Sequence, residues 1–374
     1  MTDFSVSEFE ARLIRAQAAM TVEGFDALFL NTEAEFRYFT GFRSLFWQSP
    51  TRPWFVIVPQ SGELTVVIPS IGTDLMQRMW VNDIRTWPSP RGEDEGVSLL
   101  IEALGAFDRI GVPMGEESSL RMSLTDFRAV EASITGRFTD CSHLIKTLRT
   151  MKSEAEIDLH REICRIGSNA FARLPDVANA GDPLVDVFRK FKITLLEEGA
   201  EEVPYLVGGA GRGGYHDVIS PPGRTPILDG DVVMLDTGSA LQGYFCDFDR
   251  NFAVGTALPE AQVAHQKLWD VTQAGIESAR PGVTCAELFV AMSKILGGTS
   301  DIGRIGHGLG MQLTEWPSIA AHDHTELKAG MVMTLEPSLM IDEKRMMVVE
   351  ENILITDGAP ELLTKRVSRD LVVI

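Results

Sequence analysis

Near the start of the chain, Phe9, Leu13, Ala16 and Met20 recur at helical spacing in an otherwise polar stretch, which predicts an amphipathic helix. Apolar runs of strand length follow at "FDALFLN" (25–31), "RPWFVIVPQ" (52–60) and "ELTVVIPS" (63–70). The last two are separated by Ser61-Gly62, a turn pair. An apolar helix around Leu99–Leu104 and a strand at "RIGVPM" (109–114) continue the alternation, so residues 1–148 read as an α/β domain.

Near residue 150 the pattern changes. Ser153 precedes Glu156 by three residues, a capping box, and Ile157, His160, Ile163 and Cys164 form the inner face of the helix it starts. A second helix begins at Asp182-Pro183 and ends at Gly199, burying Leu184, Phe188, Phe191 and Leu195. Strands are expected at 231–238 and 244–255. Helices are expected at 260–279 and at 285–296, the latter capped by Thr284 with Glu287. Strands return at 331–340 and 345–356. Residues 149–374 therefore read as an α+β domain.

The length of 374 residues fits two domains. A net charge of −19 argues against nucleic acid or an anionic membrane as partner, since both require basic patches. There is no apolar run of transmembrane length and no basic-then-apolar signal segment at the start. Cys141, Cys164, Cys246 and Cys285 lie far apart, which suggests neither a disulfide framework nor a zinc ribbon; a reducing, cytoplasmic setting is expected.

Four carboxylates interrupt apolar strands. Asp236 follows "VVML", Glu336 follows "VMTL", Glu350 follows "MMVV", and Asp247 sits in "YFCDF". Each would cost several kcal/mol if buried alone, so each needs a partner or a cation. With His307, in the glycine frame "GHGLG", they make an oxygen-rich donor set suited to Mn²⁺, Fe²⁺, Co²⁺ or Zn²⁺. Carboxylates can bridge two ions, and two ions about 3.5–4 Å apart can share a hydroxide and polarise a carbonyl. From the residues alone, the reading stops at a carboxylate-rich metal site.

"MLDTG", Asp247 within "GYFCDFDRNF", then "GHGLG", "TLEPSL" and "VEENILIT" resemble, in this order, the pita-bread metallohydrolases: methionine aminopeptidase, prolidase, Xaa-Pro aminopeptidase and creatinase. The resemblance covers about 150–374, and "DALFLNTEAEFRYFTGF" is similar to the N-terminal domain of the prolidase/creatinase branch. It implies a creatinase-like α/β domain followed by a pita-bread α+β catalytic domain. It also implies a homodimer whose N-terminal loops reach the partner's site, two divalent metal ions, and cleavage of a C–N bond by a metal-bridging hydroxide. Position by position, Asp236 would chelate one ion, His307 and Glu336 the other, and Asp247 and Glu350 would bridge. Glu336 would also be the general base, and His216, in "GGYHDVISPPG", would contact the substrate as a second catalytic residue.

Three departures stand out. The peptidases carry a second histidine in a His-Glu-x-Pro segment, where this chain has Thr314-Glu315-Trp316-Pro317. Threonine donates a hydrogen bond but carries no positive charge, so Thr314 is a substrate-contacting position with altered chemistry. Arginine is usual two residues before the last glutamate, where this chain has Val348, and Arg345 lies on the opposite strand face. Asp249 stands where threonine is usual and is expected to partner Arg250. These changes spare the metal ligands and alter substrate recognition. The expected function is an Xaa-Pro dipeptidase or aminopeptidase acting on a short peptide. The alternative is a non-peptidase of the same fold, resembling ectoine hydrolase or dimethylsulfoniopropionate lyase, on a small molecule. A third, non-catalytic binding role is opposed by the complete ligand set. The aromatic run 45–55 reads as core with a loop, and His322 and His324 as a surface loop.

Overall fold

Helix Val6–Glu23 starts at Ser5, whose hydroxyl accepts from the Glu8 amide, and stops at Gly24, where φ is +74°. Phe9, Leu13, Ala16 and Met20 are its buried face, as the spacing predicts. The computed structural model describes residues 4–49, 52–298 and 303–374. It divides the chain into two units, Met1–Arg149 and Thr150–Ile374.

The first unit is built on one six-stranded mixed sheet in the order Asp83–Trp87, Thr65–Pro69, Phe55–Pro59, Ala27–Leu30, Arg109–Val112, Arg137–Asp140. Helices Val97–Leu104 and Leu124–Ser133 bring Leu100, Leu104, Phe127 and Val130 against Phe29, Phe55, Ile57 and Val67. Trp47 and Trp54 are buried with ring centroids 5.7 Å apart, so they are core. Pro50 and Thr51, within that aromatic run, lie outside the described residues.

In the second unit, one five-stranded sheet carries Val372–Val373, Phe248–Ala253, Asp231–Leu241 and Glu202–Arg212 in order, with Tyr244–Phe245 paired to Asp231–Leu241. The other runs Glu315–Ser318, Gly306–Gly308, Val332–Leu335, Glu351–Leu354, Glu361–Leu362. The run "VVML" is apolar at every position because both of its faces are covered. Val233 and Leu235 pack with residues of helices Glu154–Ala172 and Leu184–Glu197, whereas Val232 and Met234 pack with those of Pro259–Ser278 and Cys285–Leu296.

The Gly-rich segment before Tyr215 is an eleven-residue strand, Glu202–Arg212, which its glycines conceal in the sequence. At Gly208 a Cβ would lie 2.1 Å from the Met234 carbonyl oxygen, and φ is +141°. Glycine here permits close strand approach instead of breaking the strand. Three expected strands are interrupted. The run 244–255 breaks at Cys246-Asp247, 331–340 at Glu336-Pro337, and 345–356 at Val349-Glu350.

Candidate active site

Each break in those strands carries one of the carboxylates, whereas Asp236 sits mid-strand. At a break the side chain leaves the in-and-out alternation of the pleat and can turn toward a neighbouring strand. Asp236, Asp247 and Glu350 thereby place carboxylate oxygens within 4.8 Å of one another, all buried. His307, on Gly306–Gly308, brings Nε2 to 3.3 Å from Asp247 Oδ2 and 3.5 Å from Glu336 Oε2. His307 thereby links Glu336 to the cluster of Asp236, Asp247 and Glu350.

The backbone around them is pinned. His307 Nδ1 lies 2.8 Å from the Gly308 carbonyl; a proton on Nδ1 donates there and leaves Nε2 facing the carboxylates, where a bound cation would replace its proton. The Asp247 amide donates to Asn352 Oδ1 at 3.0 Å, and Asn352 Nδ2 and Thr334 Oγ1 both donate to the Asp247 carbonyl. The Glu336 amide donates to Ile305 O at 3.0 Å. Glu351 faces away from the cluster, and its carboxylate accepts from Arg250 and Arg366.

Burial drives the Asp236 and Glu350 carboxyls far above their ordinary range, and the neighbouring carboxylates push the same way. Asp247 is also raised by burial, with His307 pulling in the other direction. For His307, burial alone would depress the imidazolium, but Glu336 and Asp247 outweigh it and raise the pKa to about 10. Asp236 Oδ1 and Glu350 Oε2 are buried without a hydrogen-bond partner. Buried, mutually repelling, unpartnered oxygens beside an imidazole nitrogen fit divalent cations, which would supply the missing partner and displace the ring proton.

Asp249 is 1 % exposed and stands directly across from Asp236 in the strand pairing. Its carboxylate accepts from Asn251 Nδ2 at 2.7 Å, while Arg250 donates to the Asp249 main-chain carbonyl. The expected side-chain pairing of Asp249 with Arg250 does not form, because adjacent residues of a strand point to opposite faces. Oδ1 of Asp249 is unpartnered, so this carboxylate backs the ligand cluster.

His216 is not joined to the five. Its ring is exposed and Nδ1 contacts the Lys344 carbonyl at 2.8 Å. Thr314 is exposed, and its hydroxyl receives a long hydrogen bond, 3.5 Å, from Arg304 Nη2. Arg304 Nε also lies 3.4 Å from Glu336 Oε1. The signal for Arg304 in the sequence is its place three residues before His307. Tyr205, which hydrogen-bonds Asp236, was hidden with the rest of its Gly-rich strand. Val348 offers only an apolar side chain, and Arg345 is bound to Asp342 and Glu260. His322 and His324 are exposed in a loop.

The Metallopeptidase family M24 model matches residues 158–357, and the Creatinase/Prolidase N-terminal domain model matches 12–151. An Xaa-Pro dipeptidase of Pyrococcus furiosus is 25% identical over 366 residues, covering 95% of this chain and 97% of that protein. Among solved structures, a prolidase from Thermococcus sibiricus superposes with TM-score 0.87 at 22% identity, covering 98% of this chain and 99% of that one. Dipeptidase PepE from Mycobacterium ulcerans gives TM-score 0.84 at 23% identity, covering 99% of both chains. These structures share the architecture: a creatinase-type N-terminal domain followed by a pita-bread domain.

Proposed function

The chain belongs to metallopeptidase family M24, and from that premise we propose that its five-residue centre holds two divalent ions and hydrolyses Xaa-Pro dipeptides. That the protein is a metallohydrolase of peptidase type follows from the family itself. The observation that carries the finer reading is the convergence of buried, unpartnered oxygens of Asp236 and Glu350 with Asp247, Glu336 and His307.

Asp236 would serve one ion, His307 and Glu336 the other, with Asp247 and Glu350 between them; Mn²⁺, Co²⁺, Zn²⁺ and Fe²⁺ all suit these donors. The ions, when bound, supply Lewis acidity toward the scissile carbonyl and toward water. Glu336 is the base because its side chain is 20 % exposed against 7 % for Asp247, so it is the ligand a substrate and its water can reach. It takes the proton of the attacking water and returns it to the departing nitrogen. Asn352 and Thr334 hold Asp247 in register, and Gly308 fixes the imidazole.

A second reading, a hydrolase of a small non-peptide C–N substrate, is favoured by Thr314 and Val348, where peptidases carry histidine and arginine. Metal analysis of the purified protein, followed by assays of the metal-loaded enzyme on Ala-Pro, Xaa-Pro-Xaa tripeptides and ectoine, separates the two. Binding of two ions with dipeptide turnover is expected. Trace metal only, or turnover confined to non-peptides, sinks the dipeptidase reading.

A further inference from the structure

Asp249 gives the centre one buried carboxylate more than its ligand set uses. It stands where the peptidases that the sequence resembles have threonine, and it is 1 % exposed. In the strand pairing it lies directly across from Asp236. Opposed residues of an antiparallel pair share a face, with Cβ atoms about 4.5–5.5 Å apart, and like charges placed so are destabilising. Its partners offset little of this. Oδ2 accepts from Asn251 Nδ2 at 2.7 Å, and Oδ1 has no hydrogen-bond partner among the described residues. Arg250 is turned to the other face, where Glu351 Oε2 and the carbonyls of Glu350 and Lys365 hold its guanidinium. Buried carboxylates are ordinarily paired or bound to a metal, so this one calls for a cation nearby.

The position tells which cation. Asp249 contributes no oxygen to the group from Asp236, Asp247 and Glu350 that lies within 4.8 Å, so it stands behind the ligands and is not one of them. After burial, the like charges that raise Asp236 and Glu350 include Asp249 in both cases, and the Glu350 amide faces its carboxylate. At His307 the acting carboxylates are Glu336 and Asp247. Asp249 therefore sits in the half of the centre built by Asp236 and Glu350. A charge there repels the empty cluster and attracts a cation bound in it, both strongly in surroundings of low dielectric constant. Resting on the two-ion reading, we propose that Asp249 tightens the hold on the cation beside Asp236 and Glu350, and does so at the expense of the metal-free fold. Threonine would offer a hydroxyl without charge. The exchange thus changes how firmly the centre keeps an ion and leaves its ligands alone.

The competing role for Asp249 is structural, holding Asn251, whose Nδ2 also donates to the Val348 carbonyl at 2.6 Å. Two substitutions separate the roles: D249N keeps the shape and removes the charge, and D249T installs the peptidase residue. Mn²⁺ affinity would be measured by chelator competition on EDTA-stripped wild type and variants, and metal-free stability by urea unfolding. At least one Mn²⁺ step is expected to weaken about 10–100-fold in both variants. Their metal-free urea midpoints should equal or exceed that of wild type, because a buried, poorly paired charge has been removed. A smaller loss of affinity in either variant overturns the proposal. Affinity lost together with metal-free stability, or a D249N protein that does not fold, also overturns it, in favour of the structural role. Failure of the two-ion dipeptidase reading looks different: a single Mn²⁺ step or no Xaa-Pro turnover in wild type, with the loss in D249N intact. No Mn²⁺ binding by wild type overturns both.

Discussion

Asn352→Ala probes a residue that holds a ligand without being one. Asn352 Oδ1 accepts from the Asp247 amide at 3.0 Å, and its Nδ2 is one of two donors to the Asp247 carbonyl, Thr334 Oγ1 at 3.2 Å being the other. Truncation leaves the carbonyl one donor but strands the amide in a buried site. A lost bond of about 1 kcal/mol and an orphaned donor of about 1–3 kcal/mol sum to roughly 2–4 kcal/mol. Thr334→Val removes one of two donors to a carbonyl that keeps the other, and is expected to cost only about 1 kcal/mol. Urea unfolding of the EDTA-treated proteins reads both costs as shifts of midpoint at constant slope. Because Asp247 loses its register, metal affinity should fall roughly 10–100-fold in Asn352→Ala, measured by chelator competition. Equal damage from the two substitutions, or unchanged metal affinity in Asn352→Ala, would refute the reasoning.

The metal-free protein should lose stability as pH rises. The folded pKa of His307, about 10, lies above its ordinary 6.5, so its contribution is complete below 6.5 and lost as pH climbs through 10. Asp236 and Glu350, raised by burial, act with the same sign, because they ionise more readily unfolded. Urea midpoints measured on EDTA-treated protein across about pH 6–10 should decline, and His307→Gln should flatten the upper part; a rising profile contradicts this. Thr314→His should raise Xaa-Pro turnover, and an equal or lower rate in a steady-state assay counts against position 314 as the peptidase histidine's counterpart. Lys152→Met takes the ammonium from a buried ion pair with Glu315 at 3.3 Å, both side chains under a tenth exposed, and should cost about 3–5 kcal/mol. The double variant with Glu315→Gln should recover part of that loss in the same unfolding assay, and no recovery would mean the pair is not what was broken.

Much of this organisation is legible in the residues. The capping boxes at Ser153 and Thr284 are local chemistry, and the helices begin where they stand. The carboxylates of Asp236, Asp247, Glu336 and Glu350 were conspicuous because their surroundings are apolar. Glu351, next to Glu350, answers Arg250 and Arg366 instead. The strand Glu202–Arg212 was illegible because glycine reads locally as a breaker, whereas here the neighbouring Met234 carbonyl requires it. The Asp249 carboxylate does not pair with Arg250, because adjacent strand residues point to opposite faces; Arg250 reaches only the Asp249 main-chain carbonyl.

The sequence by itself determined the helix starts, the doubly buried strands, and the chemistry available at the centre, since each depends on residue type within a few positions. Only the tertiary structure decided that three strands break at their carboxylates and that these meet the mid-strand Asp236 and the imidazole of His307. It likewise placed Arg304 between Glu336 and Thr314, and left His216 on an exposed loop beside Lys344. Convergence of side chains from separate strands is a property of register and close packing. No local pattern carries it, because partners such as Asp236 and Glu350 are separated by about a hundred residues and are brought together only when the core closes.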